Sequence, residues 1–335
     1  MEPQNVLVTG GGGFLGGHLA RRLQALGHRV TILGRRQYSD LPEGIRALQC
    51  DLADAVSVAD ACRGQDSVFH SGALTGIWGK REDFYRTNVT GTQNVIEGCM
   101  NHRVRKLVFT SSPSVVFGQH DLENADESTP YPANYLSDYP ETKARAEQMV
   151  QAANGRGGLL TVSLRPHLIW GPGDPHLVPR IIERARNQQL VRVGKGTNRV
   201  DIIYIDNAVE GHIQAWQALE EGSPLAGSAY FISDGEPVIL WEWINRLLAE
   251  LGIPPVRKKI SYAGARVIGT ALEIIYNLLG KTQEPRMTRF LAAQLATSHY
   301  FDISRARRDF NYHPVVSPEE GMKRLLNRLQ VRPEG

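Results

Sequence analysis

Six of the nine residues from Thr9 to Gly17 are glycine, and they stand between the apolar run Val6-Leu7-Val8 and a helical pattern from Phe14 to Leu26. A stretch with so few side chains cannot fill a core. It can make a tight turn that lets the backbone approach a ligand. Where a strand runs through such a turn into a helix, the first helical N–H groups lack partners and the positive end of the helix dipole faces outward, a setting for a pyrophosphate. Two registers fit: Gly10, Gly13 and Gly16 as GxxGxxG, or Gly11, Gly13 and Gly16 as GxGxxG. A glycine turn needs no ligand, but the flanking strand and helix favour a bound dinucleotide.

The first half repeats this alternation. Val30 to Leu33, Ser67 to His70, Lys106 to Thr110 and Thr161 to Leu164 read as strands with continuous apolar runs. Such strands are covered on both faces. With helical patterns between them they predict right-handed βαβ units in an α/β fold, a Rossmann-type doubly wound parallel sheet. After about Pro166 the pattern changes. Gly171 to Pro175 reads as a loop, Pro179 to Gln189 as a helix, and Val200 to Ile205 and Ala229 to Ile232 as strands. Helices are expected at about Leu240 to Leu251, Gly264 to Leu279 and Pro318 to Leu329. The predicted division is a nucleotide-binding domain over 1–165, to which the chain returns at about 200–233, and a smaller, mostly helical substrate-binding domain over 166–199 and 234–335. The cleft between them is the expected ligand site.

Composition excludes other classes. At 41% hydrophobic and 22% charged residues the chain is ordinary globular material. A net charge of +3, with no basic run interleaved with aromatics, predicts no nucleic-acid partner. Cys50, Cys62 and Cys99 have neither disulfide nor metal spacing, and Met1 to Asn5 lead straight into a strand, so a reducing, cytoplasmic location without a signal peptide is expected. His102, His212 and His313 lack partners at ligand spacing, so no metal site is expected. His167 and His176 are candidates for the substrate cleft. The most apolar long stretch, Tyr262 to Leu279, contains Arg266 and Glu273, so no membrane span is expected.

At the end of the second strand an NAD site would carry an Asp or Glu for the ribose 2′-hydroxyl. Here Gly34-Arg35-Arg36 stand there, and the first acid is Asp40. Guanidinium groups suit a 2′-phosphate, so NADP, as NADPH, is expected over NAD, although two arginines also suit a solvated loop. Tyr139 opens the run Tyr139-Pro140-Glu141-Thr142-Lys143, and positions four apart share one helical face. An ammonium beside a phenol favours the phenolate and brings it toward working pH for proton transfer. A third hydroxyl is expected at the strand end, from Ser112, with Ser111 and Ser114 as rivals. A serine-rich strand end is also ordinary turn chemistry.

Together, the glycine loop, the strand-end serines and the Tyr139–Lys143 pair resemble an extended short-chain dehydrogenase/reductase. Asp51-Leu52 falls where that family holds the adenine ring, and Val68 to Ala73 resembles its strand and loop under the cofactor. Asn88-Val89-Thr90-Gly91-Thr92 resembles its fourth-helix motif, and Leu164 to Gly173 the loop beside the nicotinamide. Tyr204 to Ala208 resembles its domain-crossing strand. The resemblance runs from about Val6 to Pro314. It implies catalysis by Tyr139, Lys143 and Ser112. It also implies cofactor contacts from Gly10, Gly13, Phe14, Leu15, Gly16, Arg35, Arg36, Asp51, Leu52, Ser71, Gly72, Ala73, Asn88, Tyr139, Lys143, Pro166 and Ile169. A homodimer is implied through helices at about Asp83 to Met100 and Pro140 to Ala153.

Within the family, Thr110 to Val115 resembles the 3β-hydroxysteroid and sterol dehydrogenase branch. Leu168 to Asp174, Tyr230 to Pro237 and Thr288-Arg289-Phe290 resemble 2-alkyl-3-oxoalkanoate reductases of bacterial long-chain olefin biosynthesis. That implies reduction of a β-keto acid to a β-hydroxy acid. A sterol dehydrogenase and an NAD-dependent sugar-nucleotide epimerase are the alternatives. A 4,6-dehydratase is disfavoured, because Pro113-Ser114 stand where it places an Asp-Glu pair. A non-catalytic NADP sensor is disfavoured by the intact Tyr139–Lys143 pair.

The substrate is expected to be bulky and hydrophobic. Val267, Ile268, Ala271, Leu272, Ile275 and Leu279 recur at helical spacing, with Ile274 and Leu278 widening the stripe. The expectation is that part of this stripe lines an apolar tunnel or a lid in contact with lipid. The competing expectation is a core helix.

Overall fold

The computed structural model describes residues 2–38 and 41–331, so Asp40 and the last residues of the expected second domain lie outside the described residues. Seven strands form one parallel sheet: β1 (Asn5–Thr9), β2 (Arg29–Gly34), β3 (Ile45–Gln49), β4 (Ser67–His70), β5 (Lys106–Thr110), β6 (Leu160–Pro166) and β7 (Ser228–Ile232). Their order is β7-β6-β5-β4-β1-β2-β3. The order reverses between β1 and β4, and in a doubly wound sheet the crevice for a ligand opens at such a point.

Alternation along the strands explains the two-sided burial. Leu7, Leu33, Val68 and Leu107 pack on one face, and Val6, Val8, Val30, Ile32 and Val108 on the other. β3 escaped the sequence reading because it is a half-exposed edge strand, Ile45-Arg46-Ala47-Leu48-Gln49, with no apolar run.

The helices are α1 (Phe14–Ala25), α2 (Ala55–Cys62), α3 (Gly91–Asn101), α4 (Asp138–Ala152), α5 (Leu177–Arg186), α6 (Ile205–Ala218), α7 (Leu240–Glu250), α8 (Tyr262–Leu278), α9 (Arg289–Ala296), α10 (Ser304–Phe310) and α11 (Pro318–Val331). α2, α3 and α4 cover one face of the sheet, and α1 with α6 the other. A helical turn at Arg81–Phe84 and a π-helical stretch at Tyr85–Thr90 lead into α3.

Two expectations are corrected. The run Val200 to Ile205 is not one strand. It makes two short strands, Arg199–Val200 and Ile203–Tyr204, and Ile205 begins α6. Asp234 forces the turn: its buried carboxylate accepts the Tyr204 N–H at 3.0 Å and the Asn207 amide at 2.7 Å, anchoring the start of the helix. The apolar stripe of α8 is neither core nor cleft wall. The helix buries only Ala265, Gly269 and Glu273, set against α9, and leaves Val267, Ile268, Ile274, Ile275, Leu278 and Leu279 exposed. A Cβ on Gly269 would fall 2.7 Å from the Thr288 carbonyl carbon, so the small face is the one that packs closely. Among the described residues no helix is long and apolar enough to cross a membrane.

Candidate active site

One cleft of about 1590 Å³ runs along the carboxyl ends of the strands. Its first end is the glycine loop. The Gly10 N–H donates to Leu33 O at 2.7 Å and the Gly13 N–H to Gly10 O at 2.8 Å, which folds the turn against β2. Gly10 holds φ +67°, and a Cβ on Gly16 would lie 2.3 Å from Gly10 O, so both positions exclude a side chain. α1 begins at Gly13 with no side-chain cap and no acid in its first turn. Its leading N–H groups therefore suit an anion, and the loop fits a dinucleotide pyrophosphate.

Of the expected cofactor residues, all except Asn88 line this cleft. Arg35 and Arg36 are exposed at its rim. Asp51 lines it too and pairs with Arg86 at 2.5 Å. Asn88 is buried behind the wall. Its side chain accepts the Leu74 N–H at 2.7 Å and donates to Leu74 O at 3.1 Å and Thr142 Oγ1 at 3.0 Å, tying the loop after β4 to α4. Asn88 supports the site without facing it. Tyr38 was not anticipated: its ring lies over Gly12 and Gly34, where a Cβ on Gly12 would come within 2.0 Å of it. A lone tyrosine beyond two arginines carries no periodic signal that could have shown this.

Tyr139, Lys143 and Ser112 meet in the middle of the cleft. α4 brings the first two onto one face, and Ser112 follows the end of β5 by two residues, at the start of a short helical turn over Pro113–Val116. The Ser112 side chain lies near enough to the Tyr139 phenol to favour its ionised form. Ser112 Oγ accepts the Ser114 hydroxyl at 2.9 Å and the Ser114 N–H at 3.2 Å. Among the three serines, Ser112 is therefore the hub and Ser114 its support. The Ser111 hydroxyl is buried and makes no hydrogen bond among the described residues.

The electrostatics differ from the expected phenolate. Burial pushes the Tyr139 phenol up, and the nearby Ser112 side chain only partly offsets it. Lys143 is itself brought down to about 7, because burial outweighs the attraction of Glu147 one turn along α4. Its ammonium sits 4.0 Å from the Phe109 ring centroid and donates to Thr110 O at 2.6 Å. Glu147 is held by buried Arg165 at 2.6 and 2.9 Å and by the half-buried Tyr131 hydroxyl at 2.6 Å. The lysine is thus a weakly basic amine and Tyr139 a protonated phenol at neutral pH.

The far end is apolar, but its walls come from α5, α7 and α9 rather than α8. Leu177, Ile181, Leu190, Leu240, Trp241, Ile244, Leu291 and Leu295 line it. His167 and His176 line the cleft as the sequence reading anticipated. His167 Nε2 lies 2.6 Å from Nδ1 of His299, a partner that no spacing rule singled out. Burial lowers both imidazoles, His299 to about 4, which keeps the pair uncharged near neutral pH. Arg180 and Arg184 also line this end. They were missed because arginines one turn apart on an amphipathic helix read as a solvated face.

The profile of the 3-beta hydroxysteroid dehydrogenase/isomerase family matches residues 7–262. The chain is 49% identical over 324 residues to 2-alkyl-3-oxoalkanoate reductase of Stenotrophomonas maltophilia (strain K279a), covering 96% of this chain and 98% of that one. It is 36% identical over 342 residues to human sterol-4-alpha-carboxylate 3-dehydrogenase, decarboxylating, covering 98% and 89%. Among solved structures it resembles MoeE5 in complex with UDP-glucose and NAD, with a TM-score of 0.76, 25% identity and coverage of 98% and 99%.

Proposed function

This chain belongs to the 3-beta hydroxysteroid dehydrogenase/isomerase family, and we propose that it reduces the ketone of a 2-alkyl-3-oxoalkanoate to the 3-hydroxy acid with NADPH. It is a nicotinamide-dependent oxidoreductase acting on CH–OH groups. The observation that carries the substrate reading is one continuous cleft, with the glycine loop at one end, Tyr139 and Ser112 in the middle and an apolar wall at the other.

The bound cofactor would supply a hydride to the ketone carbon. Ser112 would orient the carbonyl through its hydroxyl, and Tyr139 would give its proton to the carbonyl oxygen. A phenol held protonated by burial suits this direction. Lys143, fixed by Thr110 O, would turn its remaining N–H bonds to the nicotinamide ribose. Residues 1–165 and 200–233 would then hold the cofactor, and 166–199 with 234–335 the substrate. Arg35 and Arg36 would take the 2′-phosphate, and each charge-assisted contact is worth about 1.5–3 kcal/mol, or roughly tenfold or more in affinity. Titration of the purified protein should show NADPH bound at least tenfold tighter than NADH, with Arg35→Ala narrowing the gap. Equal affinities would remove the NADP assignment.

Activity, read as kcat/KM, should rise with alkyl length across a series of 3-keto or 3-hydroxy acids, since each buried methylene contributes about 0.8 kcal/mol. A flat response together with epimerisation of a UDP-sugar would replace the reductase by the epimerase. A sterol substrate is the second reading, favoured by the human relative and the same apolar wall. The helical segments at about Asp83 to Met100 and Pro140 to Ala153 would form the homodimer face, in a reducing cytoplasm that suits the buried free Cys50, Cys62 and Cys99. A sedimenting species of 37.2 kDa at micromolar concentration would reject the dimer.

A further inference from the structure

The outward face of α8 takes no part in the cleft, and the charges around it indicate what covers it. Ser261 caps the helix by accepting the Gly264 N–H at 3.1 Å. Its 17 residues rise about 1.5 Å each, roughly 25 Å in all. Ala265, Gly269 and Glu273, four apart, hold it to the protein, and Glu273 pairs with Arg289 at 2.7 Å. Val267, Ile268, Ile274, Ile275, Leu278 and Leu279 lie on the opposite side, between 46% and 81% exposed. At 3.6 residues per turn these six share one arc of about 140°. A continuous apolar face left in water marks an interaction surface.

The rim of that face carries one sign of charge. Arg257, Lys258 and Lys259 precede the helix, Arg266 stands near its start and Lys281 follows its end, all exposed. Across residues 254–283 the single acid is Glu273, which is turned inward. Five cations around an apolar arc repel a second copy of the same surface and match a leaflet that contains anionic lipid. The cleft opens beside the end of the helix. Trp78 and Thr282 line it, and Thr282 is exposed. The Trp78 indole donates to Lys281 O at 3.1 Å and meets the Tyr276 ring edge-on at 6.1 Å. We propose that α8 lies in the surface of an anionic bilayer, its apolar face among the acyl chains and its cations at the phosphates, with the mouth of the cleft at the lipid boundary. Among the described residues no helix crosses a membrane, so the contact is peripheral. The docking rests on α8 alone. Its use, entry of a long-alkyl acid from the lipid past Trp78, rests on the keto-acid reading.

The test sediments the full chain with vesicles of phosphatidylcholine, with or without a quarter of phosphatidylglycerol. The protein should bind the anionic vesicles, and raising NaCl from about 0.05 M to about 0.5 M should weaken binding at least several-fold. Ile274→Ser combined with Leu278→Ser should lower the partition coefficient by roughly tenfold or more. Lys259→Gln combined with Arg266→Gln should reduce the preference for phosphatidylglycerol. Thermal melts show that each variant keeps its fold, and oxidation of a short-chain 3-hydroxy acid without vesicles should be unchanged in all of them. A parent that ignores both vesicles overturns the docking, and so does binding that survives the serine pair. A dimer that the serine pair splits, with no vesicle bound, would give the face to a second copy. For a long-alkyl 3-hydroxy acid carried in the anionic vesicles, the serine pair should lower kcat/KM several-fold. An unchanged value would remove the entry route and leave the docking. A parent that binds vesicles but oxidises neither acid would leave the docking and remove the keto-acid reading.

Discussion

α4 and α8 are helices of 15 and 17 residues with opposite fates. α4 is rich in charge, yet it lies against the sheet and buries Lys143 and Glu147, at 3% and 0% exposure. α8 is one of the most apolar segments, yet it leaves Val267 70% and Leu278 81% exposed. Hydrophobicity alone would have exchanged them. On α4 every buried charge has a partner: Glu147 has Arg165 and Tyr131, and Lys143 has Thr110 O. The arrangement is costly in stability, and it places a weakly basic amine beside a phenol. On α8 the face that packs is made of Ala265 and Gly269, which admit α9 so closely that the larger side chains on the other face turn outward.

The comparison breaks most visibly at Tyr139. If α4 is buried for chemistry, Tyr139→Phe should reduce turnover by about 10²–10⁴-fold while NADPH affinity stays within a few-fold. Retention of most of kcat would give the proton to another group. Ser112→Ala should also lose turnover, and a fully active variant would move that role to Ser114.

Lys143 tests the cost of the same helix. Its amine titrates near 7 in the fold, against about 10.5 when exposed. Below pH 7 it is charged in both states, and the fold bears the full penalty of burying the charge. Between about 7 and 10.5 the unfolded chain binds the extra proton, so stability rises with pH across that window. Lys143→Met removes the penalty. At pH 6 the variant should be more stable than the parent by on the order of 1–3 kcal/mol in urea unfolding, and the gain should shrink toward pH 10. An unchanged or lowered midpoint at pH 6 would mean that the hydrogen bond to Thr110 O outweighs the desolvation. Activity should be lost in either case.

What the sequence revealed follows the same division. The parallel sheet was legible because its strands are apolar on both faces, and the glycine loop because close backbone approach at Gly10 and Gly16 admits no other residue. Tyr139 and Lys143 were legible because helical spacing places them together. Their electrostatics were not, since the direction of a shift depends on burial that spacing does not encode. Arg180 and Arg184 meet Glu284 across about a hundred residues of chain, and the start of α6 depends on Asp234 nearly thirty residues away. Contacts of that range leave no periodic trace.

α8 supplies the smallest effect and the one that most sharpens the contrast. Exposed apolar side chains lose little when made polar, because water already surrounds them in both states. Ile274→Ser and Leu278→Ser should each change the unfolding free energy by no more than about 0.5 kcal/mol, whereas Val150→Ala, from the buried side of α4, should cost about 1.5–3 kcal/mol. Neither α8 residue lines the cleft, so chain-length preference should also stay put in both variants. A marked fall in kcat/KM confined to the longest alkyl chains would show that this face receives the chain after all, as the stripe first suggested. A stability loss above 1 kcal/mol in an α8 variant would instead mean that the outer face is packed in solution. Sedimentation of that variant beside the parent would then show whether a second copy of the chain does the packing.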